Sequence, residues 1–176
     1  VTGVAKKLGR ALAPSIRRVG VFMEVKMPEI AEMVKRGVID TVQLHAPCAF
    51  EVSEAQISEL RRATKGAELQ IIRAFGVSDT TLLHEAERTS ADLVLLDNPR
   101  GGSGEAFDHA LLEGFARPYI LSGGLTPENV APLLERWRPW GVDVSSGIEV
   151  AGQKNRDKMI AFLKAVRMFD GEGIGR

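Results

Sequence analysis

Between Val19 and Val144, short β-branched and aliphatic runs alternate with longer amphipathic stretches. This is the pattern of βα units around a parallel sheet. The runs are Val19 to Met23, Thr41 to Leu44, Leu69 to Ala74, Leu93 to Leu96, Tyr119 to Leu121 and Val142 to Val144. Their near-continuous apolarity predicts strands buried on both faces, hence a sheet covered by helices. Helices are expected over about Glu29 to Lys35, Glu54 to Thr64, Asp79 to Thr89, Phe107 to Glu113 and Glu128 to Arg136. A leading helix is expected over Val4 to Leu12 and a closing one over Arg156 to Val166. Ser53, Ser78 and Thr126 stand where a hydroxyl caps a helix start, and Pro127 suits a first turn.

The pattern therefore predicts an α/β fold with a parallel sheet; a (β/α)8 TIM barrel, to which this chain brings about six strands and seven helices, is what the family resemblance given below implies. A closed barrel has eight strands and typically about 250 residues. Because the chain opens on a predicted helix, the other strands are expected before Val1. Residues 1–176 read as a single barrel domain, incomplete at the N-terminus. The tail 170–176, with Gly171, Gly173 and Gly175, is expected to be flexible.

Composition narrows the function classes. Apolar residues make up 44% and charged residues 26%, and 23 Lys plus Arg balance 23 Asp plus Glu. With no net field to attract nucleic acid or an anionic membrane, neither partner is expected, and a bound anion must be held by a local site. No apolar run approaches the roughly 20 residues that span a bilayer. The single cysteine, Cys48, permits no intrachain disulfide and fits a reducing cytoplasm.

Candidate chemistry collects just after the strand runs, at the catalytic face of such a barrel. Gly101-Gly102-Ser103-Gly104, Ser122-Gly123-Gly124 and Ser145-Ser146-Gly147 lie there. Such glycines either let backbone N–H groups approach an oxyanion or merely shape tight turns. The last two segments follow the final two strands, where barrels of this type commonly hold phosphate.

Asp97 ends the run Leu93 to Leu96. It reads either as a general acid whose pKa burial would raise, or as a solvated or capping aspartate. His45 ends Val42 to Leu44 and could orient substrate or be structural. His84 and His109 fall in helical stretches, with no second ligand type beside them, so no metal site is inferred. Asp143, inside an apolar run, must find a partner if that strand is buried. Trp137 and Trp140 read as packing residues over the last helix-to-strand connection.

These residues resemble the phosphoribosylanthranilate isomerase family. The segments that carry the resemblance, in order, are VGVF at 19–22, VQLH at 42–45, LLD at 95–97, GGSG at 101–104, FD at 107–108, LSGGLTPENV at 121–130 and VDVSSGIE at 142–149. The resemblance implies an enzyme of tryptophan biosynthesis that carries out an Amadori rearrangement of N-(5-phosphoribosyl)anthranilate to 1-(2-carboxyphenylamino)-1-deoxyribulose 5-phosphate without a cofactor. It implies Asp97 as the general acid. It makes Gly123, Gly124, Ser146 and Gly147 the phosphate-binding loops, and places Gln43 and His45 at the mouth.

The same resemblance implies a catalytic cysteine base on a KICG-like motif and an arginine that pairs with the anthranilate carboxylate. Both belong to roughly 40 residues of βα structure expected before Val1. Within the chain, the family's LHG reads Leu44-His45-Ala46, followed by Pro47-Cys48, and GKTFD reads Gly104-Glu105-Ala106-Phe107-Asp108. Glu105 thus reverses a positive charge. Cys48 reads as a small apolar loop residue, or as a replacement base that His45 could activate.

Two functions compete: a working isomerase, and an inactive or partner-completed relative that binds phosphosugars. A metal-dependent phosphopentose epimerase would need ligands at strand ends that the sequence does not supply. The family contains monomers, dimers and fusions, so a homodimer or a fusion to another tryptophan-pathway domain is compatible with the resemblance.

Overall fold

The computed structural model of the chain describes residues 12–13, 15–45, 52–99 and 106–171. The expected leading helix, the GGSG segment, Glu105 and Cys48 lie outside these residues, apart from Leu12. Six strands form one sheet in chain order: β1 (Val19–Phe22), β2 (Thr41–Leu44), β3 (Gln70–Gly76), β4 (Leu93–Asp97), β5 (Tyr119–Leu121) and β6 (Gly141–Val142). The pairs β1–β2, β2–β3 and β5–β6 are parallel. The helices are α1 (Met27–Lys35), α2 (Glu54–Ala63), α3 (Thr80–Arg88), α4 (Val130–Trp137) and α5 (Arg156–Gly171). The chain packs as two compact units, Val1–Phe75 with Arg88–Val94, and Gly76–Glu87 with Leu95–Arg176.

In the first unit, Ile30 and Val34 of α1 and Ile57 and Leu60 of α2 pack with Val42, Leu44 and Ile71 of the strands. Truncating Ile30, Leu44, Ile57, Leu60 or Ile71 to alanine is expected to cost about 2–5 kcal/mol, as such buried aliphatics do. Ser53 opens α2 with a full capping box: the Gln56 N–H donates to its Oγ at 3.3 Å, and its own N–H donates to Gln56 Oε1 at 2.8 Å.

Glu54, the next residue, is the hub of a polar network. Its carboxylate accepts from Arg73 at 3.0 Å and from the hydroxyls of Thr89 and Ser90. Arg73 is only 1% exposed. A buried guanidinium is tolerated when it is paired in this way and stacked, here 4.6 Å over the Phe75 ring.

In the second unit, Leu95, Leu96, Ile120 and Leu121 form the buried centre, with Val130 and Leu134 from α4 and Phe162 from α5. The unit also holds a small antiparallel hairpin of β7 (Glu149–Val150) and β8 (Gln153–Lys154) that the apolar pattern does not predict. Its tight turn uses left-handed backbone at Ala151 (φ 52°) and Gly152 (φ 74°), which is local dihedral geometry rather than hydrophobic patterning.

Several expectations need correction. Strands β2 to β5 are buried as predicted, but β1 exposes Val19 (44%) and Val21 (57%), and both residues of β6 are only partly covered. These two strands end the sheet order, so each lacks a neighbouring strand on one side among the described residues. The strand expected over Val142 to Val144 stops at Val142. The Asp143 N–H still donates to Leu121 O (2.9 Å), but its side chain lies at the surface rather than in a buried strand. Trp140 is likewise 48% exposed rather than packed.

The helix expected over Phe107 to Glu113 is a single 3₁₀ turn, His109–Leu112, ended by Gly114 at φ 84°. At α3 the cap is Asp79, not Ser78: Asp79 Oδ1 accepts from the Thr81 N–H at 2.8 Å, and Ser78 Oγ donates to Asp79. Helix α4 begins at Val130, two residues later than expected, after a turn over 127–129 in which Thr126 Oγ accepts from the Glu128 N–H (3.2 Å). The closing helix runs on to Gly171, beyond the expected end at Val166.

Candidate active site

Asp97 is the last residue of β4 and 8% exposed. Its Oδ1 accepts from the Asn98 N–H at 2.7 Å, and its backbone carbonyl accepts from the Val77 N–H at 2.9 Å. The carboxylate is therefore held by the ladder that carries it and by the first amide beyond. Next to it in the sheet, β5 delivers Ser122, whose N–H donates to Leu96 O at 2.9 Å, and then Gly123. A Cβ on Gly123 would lie 3.0 Å from Asp97 Oδ1 and 3.1 Å from Asn98 N, and its φ is +88°. Both the space and the backbone thus call for glycine.

The second glycine turn follows β6. Ser146–Ile148 form a 3₁₀ turn, and Gly147 packs so closely on Leu125 that a Cβ would stand 1.8 Å from its carbonyl oxygen. Any side chain at 147 would drive the two segments apart. Asn129 fixes the first segment from behind: its Nδ2 donates to Gly124 O and its Oδ1 accepts from the Thr126 N–H, both at 2.8 Å. Asp97, the Gly123-Gly124 turn and the Ser146-Gly147 turn are therefore linked by direct contacts inside one compact unit.

Gln43 and His45 belong to the first unit. Gln43 is 7% exposed on β2, and its Nε2 lies 3.4 Å from His45 Nδ1, so the amide can donate to a neutral ring that carries its proton on Nε2. His45 is tied to the end of β1 through its N–H to Phe22 O, at 2.9 Å. His109 takes a packing role: its ring meets Phe107 edge-on with centroids 4.7 Å apart, and burial pushes its pKa down. His84 is exposed on α3, 3.6 Å from Glu87. Among the described residues, no cluster of three or more His, Cys, Asp or Glu is arranged to hold a metal. No helix among them is long and apolar enough to cross a membrane.

The family model described as "N-(5'phosphoribosyl)anthranilate (PRA) isomerase" matches residues 4–165. The chain belongs to the phosphoribosylanthranilate isomerase family. Members of this family are isomerases of tryptophan biosynthesis. The isomerase of Lactiplantibacillus plantarum is 39% identical over 157 residues, which cover 88% of this chain and 69% of that protein. The crystal structure of the Thermus thermophilus isomerase superposes with a TM-score of 0.81 at 29% identity, covering 96% of this chain and 80% of that one. An isomerase solved in complex with reduced 1-(o-carboxyphenylamino)-1-deoxyribulose 5-phosphate gives a TM-score of 0.75 at 29% identity, again over 96% of this chain and 80% of that one.

The sequence marks Asp97 and both glycine turns but not what joins them. Asn129 stands inside a family motif whose wording assigns it no bond. Leu125 offers only a backbone carbonyl, which no side-chain pattern reports. Lys154 carries no motif of its own, and nothing in the residues 149–154 marks a hairpin.

Proposed function

We propose that this chain carries the acid and the phosphate grip of an isomerase that converts N-(5-phosphoribosyl)anthranilate to 1-(2-carboxyphenylamino)-1-deoxyribulose 5-phosphate. The observation that carries the reading is the contact chain from Asp97 through Gly123 to the Leu125–Gly147 junction. It sets an acid at one end and two glycine turns beyond it, the layout needed to grip a phosphate while protonating the far end of the same small molecule.

In the proposed reaction Asp97 gives its proton to the ring oxygen as the furanose C–O bond opens, leaving an iminium. A base then removes the proton from the second sugar carbon, and the electron pair passes to the iminium as the enol forms and tautomerises to the ketone. Atoms and electrons balance without cofactor or metal. Gly123, Gly124, Ser146 and Gly147 supply backbone N–H groups to the phosphate. By the family resemblance, Gln43 and His45 of the first unit are also assigned to the substrate. The KICG-like motif that the resemblance assigns to the base does not occur in these 176 residues; in this reading a βα segment bearing that motif supplies the base, and the reaction runs in the cytoplasm.

A second reading, an inactive or partner-completed relative that binds phosphosugars, starts from the same uncovered apolar positions as the first. Val19, Val21 and Met23 on and after β1 are all more than 40% exposed, as are Trp140, Met159 and Leu163 of the second unit. These apolar faces want a cover.

The test follows loss of phosphoribosylanthranilate fluorescence with the chain alone and with a βα segment bearing the KICG-like motif added. We expect little turnover alone, turnover with the segment, and a loss of about 10²–10⁴-fold with the segment and Asp97→Asn. Turnover that is indifferent to Asp97→Asn would overturn the reading. Failure of the segment to restore turnover, with phosphate still bound, would favour the second.

A further inference from the structure

We infer that Lys154 is a positioning residue for the phosphate turn, holding Ser145 to Ile148 in the shape that receives the anion. The inference rests on the phosphate reading of Ser146 and Gly147 given above. It starts from a weakness of the turn. A 3₁₀ segment of three residues has few hydrogen bonds to hold itself: the Ile148 N–H reaches Ser145 O only at 3.4 Å, and the Glu149 N–H donates to Ser146 O. Ser145 has φ −123° and ψ −82° and makes no side-chain cap.

Lys154 supplies what is missing. Its Nζ donates to Ser145 O at 2.9 Å, to Ser145 Oγ at 3.0 Å and to Glu149 Oε1 at 2.6 Å. One ammonium thus uses its three protons on both ends of the turn. The hydroxyl that could have capped the turn is one of its acceptors. The hairpin sets the reach: Glu149 and Lys154 are direct cross-strand partners, and the tight turn at Ala151-Gly152 fixes that register. Lys158 of α5 adds a bond from its Nζ to Glu149 O at 3.1 Å, and the Asn155 N–H donates to Ile148 O at 2.8 Å. Because Glu149 already offsets its charge, Lys154 acts on the anion mainly through the turn's geometry rather than as a bare cation.

Titration with inorganic phosphate, together with hydrogen exchange at the Ser146 and Gly147 amides, tests this in the full chain. Lys154→Met is expected to weaken phosphate binding about 10-fold and to speed exchange at those amides about 10-fold, as loss of charge-assisted bonds implies. Lys154→Arg, whose planar fork fits these acceptors less well, is expected to fall between. Ser145→Ala, which removes one acceptor only, provides a milder variant should Lys154→Met fold poorly, and is expected to change both readouts in the same direction by a few-fold.

Unchanged exchange in Lys154→Met and in Ser145→Ala would overturn the inference, whatever happens to affinity, because a lysine acting only by charge would not hold the turn. If the wild-type chain binds no phosphate, the phosphate reading fails, while the exchange comparison still decides whether Lys154 holds the turn.

Discussion

Gly123 lies against the carboxylate of Asp97 so closely that a Cβ at that position would be 3.0 Å from Oδ1. The acid and the first glycine turn are therefore one packed object, and each should report on the other. Asp97→Asn keeps the shape and removes the proton, so kcat of the complemented enzyme should fall by about 10²–10⁴-fold while phosphate affinity stays within a few-fold. Gly123→Ala adds a methyl at φ +88° and should lose activity together with about 1–3 kcal/mol of stability. Steady-state kinetics and urea melts on the two variants separate these effects.

The phenol of Tyr119 gives a direct spectroscopic check on burial in the second unit. It is the single tyrosine of the chain, and burial pushes its pKa from 10.0 to about 12. Its hydroxyl donates to Trp137 O at 3.0 Å. Because the folded pKa lies above the unfolded one, the contribution is whole below pH 10 and declines as pH rises toward 12. Ultraviolet titration of the native chain should place the phenolate midpoint near 12. A midpoint near 10, before unfolding, would contradict this burial.

Acid should loosen the first unit through Glu54. Burial alone would raise its pKa, but hydrogen bonds from Ser90 and Thr89 and the nearby Arg73 charge outweigh it and hold the carboxyl below its ordinary 4.5. A lowered folded pKa contributes stability above pH 4.5 that is lost as pH falls through the folded value. Wild type should therefore be more stable than Glu54→Gln at neutral pH, and the gap should close in acid. Urea midpoints measured on both proteins across that range decide it.

Ala151 holds a left-handed φ of 52° in the hairpin turn, a conformation that disfavours a Cβ. Ala151→Gly should raise stability by about 0.5–1 kcal/mol. Ala151→Val should lower it and, by disturbing Lys154, weaken phosphate binding. Thermal melts and phosphate titrations of the two variants read this out.

Much of the fold was legible because burial and periodicity are local signals. The apolar runs of β2 to β5, the helices between them and the capping box at Ser53 all follow from residue type and spacing. So does the place of Asp97 and the two glycine turns after strand ends, since the switch from apolar strand to polar or glycine-rich loop is itself a pattern of residue type. The family wording at 121–130 and 142–149 then determined the reaction class without any coordinate.

What only the tertiary structure decided depends on which residues become neighbours after the chain returns on itself. Nothing in the run Val142 to Val144 says that Asp143 lies at the surface, because a strand's burial depends on what pairs with its far side. The apolar pattern of β1 is the same as that of a covered strand; its exposure comes from its place at the end of the sheet. The contact of Gly147 with the Leu125 carbonyl and the grip of Lys154 on Ser145 are made through backbone oxygens. Every residue type carries one, so sequence cannot mark which of them a distant glycine or lysine will meet.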